Sequence, residues 1–202
     1  MKSSTHEGKQ LSHWMLVVTA AALAACGADA QPPPAALAAS HSFSFTTLPG
    51  QETHWCQYLR LPRSASAEVL LTGYQWTWSG LHHWSLYRTT GELPADLDVD
   101  HPFDCFAPGG MDHASAAALL IAGDPSGESR FPPDMGFALR SEEVVLVQAH
   151  TINPTSDVQN PTLDIHLALA NPADVTTRLG LMQFYDPYIV VPAHTDAVAQ
   201  MR

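Results

Sequence analysis

Along the body of the chain, apolar and polar residues alternate with a period of two. His41-Ser42-Phe43-Ser44-Phe45-Thr46 does so, as do residues 54–61, 69–78 and 163–169, and this spacing sends successive side chains to opposite faces of a β-strand. Residues 144–149 and 189–191 are short β-branched runs that also read as strands. Turn-forming clusters separate them: Leu48-Pro49-Gly50-Gln51, Pro62-Arg63-Ser64, Pro108-Gly109-Gly110, Gly123-Asp124-Pro125-Ser126-Gly127 and Asn171-Pro172. Short strands punctuated this way predict an all-β fold, an antiparallel β-sandwich or jelly roll in a single domain. The stretch 114–121 is ambiguous, because its alanines also suit one or two helical turns. No internal repeat is visible.

The first 40 residues follow a different pattern. Lys2 and Lys9 precede an apolar run over residues 14–25 that ends in Leu23-Ala24-Ala25-Cys26-Gly27. A charged start, a short apolar core and small residues before a cut site describe an export signal; a spanning helix needs about 20 apolar residues. The Leu-Ala-Ala-Cys ending resembles a bacterial lipobox, which implies a lipoprotein signal peptide over residues 1–25, cleavage before Cys26 and lipid on that cysteine. An ordinary secretory signal with an incidental cysteine is the alternative. Residues 26–40 hold small residues and Pro32-Pro33-Pro34, with too little bulk to build a core, so the expectation is an extended spacer. The folded domain is then 41–202, large enough for one core. It would be exported and lipid-anchored to a bacterial membrane, facing the periplasm or the cell surface.

Charge narrows the partners. The chain carries 9 Lys and Arg against 20 Asp and Glu, a formal net charge of −11, and both lysines lie in the leader. Such an acidic body is poorly suited to nucleic acid or to anionic lipid surfaces. Cys56 and Cys105 remain in the body, and in an oxidising compartment an isolated pair is expected as a disulfide. The other use, thiolate metal binding, would make a softer site than the histidines suggest.

The candidate chemistry lies in Leu81-His82-His83-Trp84-Ser85-Leu86-Tyr87 and Val144-Val145-Leu146-Val147-Gln148-Ala149-His150. Each sets histidine inside an apolar run, where a neutral imidazole can offer a ring nitrogen to a metal. Three imidazoles form a neutral nitrogen site suited to copper or zinc, with a position left for a further ligand. Adjacent histidines on a regular strand point to opposite faces, so His82 and His83 can share one metal only if the strand is distorted; Gly80 marks a place for a kink. The alternative is a pair of hydrogen-bonded structural histidines.

Gln51-Glu52-Thr53-His54-Trp55-Cys56-Gln57-Tyr58-Leu59-Arg60-Leu61-Pro62, the His82-His83 segment, Phe103-Asp104-Cys105, Phe131-Pro132-Pro133-Asp134-Met135-Gly136-Phe137 and Val147-Gln148-Ala149-His150 occur in one order. That order resembles the N-terminal domain of the copper type II, ascorbate-dependent monooxygenases, the family of peptidylglycine alpha-hydroxylating and dopamine beta-monooxygenases. The likeness extends to Asp164-Ile165-His166-Leu167 and Ile189-Val190-Val191-Pro192. It implies a first copper, the one that stores and passes an electron, on His82, His83 and His150. It also implies a Cys56–Cys105 disulfide, with ascorbate or another exported carrier as reductant.

Departures from the pattern matter equally. The family activates oxygen at a second copper, held by a His-x-His pair and a methionine on a second domain, whereas after His150 this sequence has only His166 and His194, far apart. Thr89 stands near where another family cysteine is expected. His54 replaces a phenol and is read as a fourth ligand, as a partner orienting a ligand ring, or as a surface histidine. Gln148 shares a strand face with His150 and is read as a bond donor to a bound water or ligand, or as structural. His101, Met111 and His113 form a second candidate grouping, and Trp76, Trp78 and Trp84 read as core and rim packing around the metal.

No Gly-x-Ser-x-Gly elbow, phosphate loop or His-Glu-x-x-His is present. Zinc-activated water at three imidazoles is formally possible but has no neighbouring base to favour it. The leading expectation is a tethered mononuclear copper domain for electron transfer or copper handling. A copper oxidase or monooxygenase, alone or completed by a second copper-bearing protein, is the next reading, and a metal-free structural sandwich the third.

Overall fold

The computed structural model describes residues 37–183. The expected signal peptide, the lipidation site Cys26, the strand at 189–191 and His194 lie outside them. The elements are β1 (Leu37–Ser44), β2 (Glu52–Arg60), β3 (Glu68–Ser79), β4 (His83–Thr89), β5 (Phe103–Asp104), β6 (Ala114–Ala122), β7 (Ser126–Arg130), β8 (Met135–Arg140), β9 (Val144–Ile152), β10 (Thr162–Ala170), a 3₁₀ turn (Pro172–Asp174) and β11 (Thr177–Leu179). Among the described residues no helix is long and apolar enough to cross a membrane.

Two sheets pack face to face as an all-β sandwich. The first has the order β1-β10-β3-β8-β11, with β7 also paired to β3; the second has the order β5-β2-β9-β4-β6. Pairing is antiparallel except between β8 and β11. β3 serves two partners along one edge, β8 with Glu68 to Leu71 and β7 with Gly73 to Thr77. A Cβ at Gly73 would come within 2.7 Å of the Ser129 carbonyl, so glycine permits the approach of β7.

Two expectations change. The spacer anticipated through Ser40 ends earlier, since β1 begins at Leu37 and pairs Leu37 with Leu169 and Ser40 with His166. Its small side chains do not prevent this, because backbone pairing needs no bulk. The stretch 114–121 is a strand, at the edge of the second sheet on β4. There the tertiary demand for a partner overrides alanine's helix propensity.

The alternation seen in the sequence becomes the core. Leu59, Trp84, Leu86, Val145, Val147 and Ala149 from the second sheet meet Phe43, Val69, Leu71, Leu163, Ile165 and Leu167 from the first, all buried. Each of the valine, leucine, isoleucine and phenylalanine side chains contributes about 1.5–3 kcal/mol on burial. The central strand β9 is buried on both faces, because a smaller cluster covers its other side: Cys56, Tyr58, Leu146 and Cys105, with Leu93, Leu97, Val99, Phe103 and Met111 packed against them. The segment carrying most of that cover is stapled by the Cys56–Cys105 disulfide, whose 49-residue separation corresponds to about 4 kcal/mol of unfolded-state restriction.

Candidate metal centre

Three adjacent strands bring the site together. In β2, β9 and β4 the residues His54, His150 and His83 are direct cross-strand partners, so all three face away from the inter-sheet core. The next row, Trp55, Ala149 and Trp84, faces into it. Trp76 and Trp78 likewise pack against the core from the first sheet, so these tryptophans fill the interior and do not rim the histidines.

His82 joins the group by leaving the strand pattern. Gly80 has a left-handed φ of 68°, its carbonyl accepts a hydrogen bond from the Thr151 hydroxyl, and the His82 amide donates to the His150 carbonyl at 2.8 Å. β4 begins only at His83. The rule that neighbouring side chains diverge therefore does not bind the pair, and both rings turn to one side.

The ring nitrogens converge. His82 Nδ1 lies 3.2 Å from His83 Nδ1, and His83 Nδ1 lies 3.3 Å from His150 Nδ1. Each of the three side chains offers a ligand atom within 4.8 Å of the others. Tetrahedral ligands at about 2.0 Å from one ion stand about 3.3 Å apart, so two of the separations are those of a three-imidazole metal site. The group can hold a metal ion. His150 is buried, His83 half-buried and His82 exposed, which leaves the approach open on the His82 side.

At His83 the local environment favours the neutral imidazole that a metal needs. Burial lowers the pKa of His83 below its ordinary value, and unfavourable charge interactions with the neighbouring His150, His82 and His54 lower it further. His54 is lowered by burial and by His150, against an opposing pull from Glu52 and Asp104.

His54 is not among the converging donors. Its ring is stacked on that of His150, with centroids 4.1 Å apart and planes 8° apart. In-plane lone pairs of parallel rings run alongside each other and do not meet at one ion. His54 thus covers the face of a ligand ring, and Phe106 packs edge-on against it at 4.8 Å. Phe106 follows the disulfide residue Cys105, so the stapled segment builds one wall of the site.

Gln148 lies two rows along, on the same face, between Cys56 and Ser85. Its Nε2 donates to Met111 Sδ at 3.2 Å and its Oε1 accepts from the Tyr87 hydroxyl at 3.5 Å, so it anchors the cover. The grouping of His101, Met111 and His113 does not form a comparable centre: His101 Nδ1 is bonded to Asp98 at 2.9 Å, and the described residues gather no second cluster of metal-binding side chains.

One contact was not anticipated. His150 Nε2 is 2.9 Å from Glu52 Oε1. Glu52 lies two residues before His54 and so shares its face, but nothing in the sequence announces the diagonal reach to β9. A scan against protein-family models finds no match to this chain, and a search of curated proteins finds no relative.

Proposed function

We propose that this protein is an exported, lipid-anchored domain that holds one copper ion on His82, His83 and His150 and serves in electron transfer or copper handling. The observation that carries the reading is the convergence of three imidazoles, one ring nitrogen from each, on the outer face of the second sheet. Imidazole suits copper, which the binding order of divalent metals favours over zinc. The order of motifs resembling the first-copper domain of the ascorbate-dependent monooxygenases points the same way, with ascorbate or another exported carrier as reductant. When bound, the ion supplies a one-electron couple. The chain's part is to supply imidazole donors, to flank one side with His54 and Phe106, and to leave the His82 side accessible to a redox partner or to a second copper-bearing protein.

The test is copper stoichiometry and electron paramagnetic resonance on the purified full chain, beside a variant with His82, His83 and His150 all changed to Ala. One nitrogen-coordinated copper per chain, lost in the variant, is the expected result. Absence of specific copper in the wild type, or preferred uptake of zinc from an equimolar mixture, overturns it.

A further inference from the structure

We infer that Glu52 is a positioning residue of the metal centre: it accepts the proton-bearing Nε2 of His150 and so presents that ring's Nδ1 lone pair to the ion. The inference rests on the copper reading for its functional meaning, though not for its geometry.

An ionised carboxylate can only accept a hydrogen bond, so the 2.9 Å contact between Glu52 Oε1 and His150 Nε2 requires the hydrogen on Nε2. A neutral imidazole carries one such hydrogen. Nδ1 is then the lone-pair atom, and it is Nδ1 that stands 3.3 Å from His83 Nδ1 within the converging group. Without the acceptor the two tautomers of His150 would compete, and only one of them offers a donor to the ion.

Glu52 is placed for this by the sheet. It opens β2, opposite Ile152, while His54 stands opposite His150; a diagonal neighbour across an antiparallel pair is within reach of a long side chain. The ring of His150 is consequently held on its face by His54 and at its edge by Glu52. Among the described residues, the ring contacts of His82 and His83 are made at Nδ1, so of the three candidate ligands His150 is the one with a carboxylate on its Nε2. The carboxylate also puts a negative charge beside a ligand, which favours the higher oxidation state of the ion.

The experiment uses the full chain and its Glu52→Ala, Glu52→Gln and Glu52→Asp variants. Long-range proton–nitrogen correlation in the metal-free protein reads which nitrogen of His150 carries the hydrogen. Competition with a cuprous chelator reads affinity, and redox titration reads the potential. The wild type is expected to show the Nε2–H form; Glu52→Ala should show a mixture and bind copper about ten- to a hundredfold more weakly. Glu52→Gln, which keeps an acceptor without the charge, should retain the tautomer and raise the potential, and Glu52→Asp should recover part of the affinity. A His150 tautomer unchanged in Glu52→Ala, or an affinity within about twofold of wild type there, overturns the proposal. If the wild type binds no copper, the functional reading fails, while the tautomer in the metal-free protein still decides whether Glu52 sets the proton.

Discussion

The outer faces of the two sheets make an instructive pair. On the first, Ser40, His166, Gln75 and Glu128 form one cross-strand row, all exposed, and His166 Nδ1 is bonded to the Ser40 hydroxyl at 2.8 Å. On the second, the equivalent row is His54, His150 and His83, extended by His82 and overhung by a stapled segment. Both rows come from the same alternating pleat. A strand histidine among serine and glutamine is a solvated surface residue; one whose register partners are also histidines, with a turn adding a further ring, joins a group that can hold a metal ion.

The cover is the first thing to remove. Changing Cys56 and Cys105 together to Ser should lower the unfolding free energy of the metal-free chain by about 4 kcal/mol in urea titrations. A loss below about 1 kcal/mol would mean that the outer cluster holds itself without the staple. Exchanging the two faces is the second test. His150→Ala should weaken copper binding by more than a hundredfold, given that even a partner outside the ligand set is worth about ten to a hundredfold, whereas His166→Ala should leave it within about twofold. Equal effects by calorimetry would erase the distinction between the rows.

Acid should act through burial. In the folded protein His83, His54 and His41 are all held below their ordinary values, each mainly by burial, so the folded state binds fewer protons than the unfolded one as pH falls past about 6.5. Stability of the metal-free protein should be full above that pH and decline below it. A His54→Ala, His83→Ala variant should keep only the share due to His41 on the first sheet. Stability that rises on acidification would reverse the assignment. The smallest effect is expected from the stack: His54→Phe preserves a ring against His150 and should bind copper nearly as wild type, while His54→Ala forfeits an aromatic contact of about 0.5–1.5 kcal/mol and should lose up to about tenfold in affinity. A loss in His54→Phe as large as that in His54→Ala would show that a nitrogen of His54 matters.

Much of this was legible beforehand, for identifiable reasons. Residues 69–78 and 163–169 alternate cleanly because one face is buried and the other wet, and they became neighbouring strands. His82, His83 and His150 stood out because histidine is unusual inside apolar runs. The strand at β6 was obscured because alanine fits a helix as readily as a crowded edge. His54 could not be assigned from its position in the chain: whether it ligates or stacks depends on the angle between two rings on different strands. Glu52 was hidden for the same reason, since its contact is diagonal across a pairing.

The sequence by itself determined the β-class, the buried faces and the inventory of donors, because period-two alternation and residue chemistry are local properties that the chain carries before it folds. The tertiary structure decided which donors meet. Convergence of His82, His83 and His150 depends on the register of β9 and β4 and on the turn at Gly80, and the contacts of His54 and Glu52 depend on that of β2. A one-residue slip in any of those pairings would send a histidine to the opposite face. Register is set by the whole hydrophobic pattern and its turns acting together, so a site built across strands exists only once the sheet has closed.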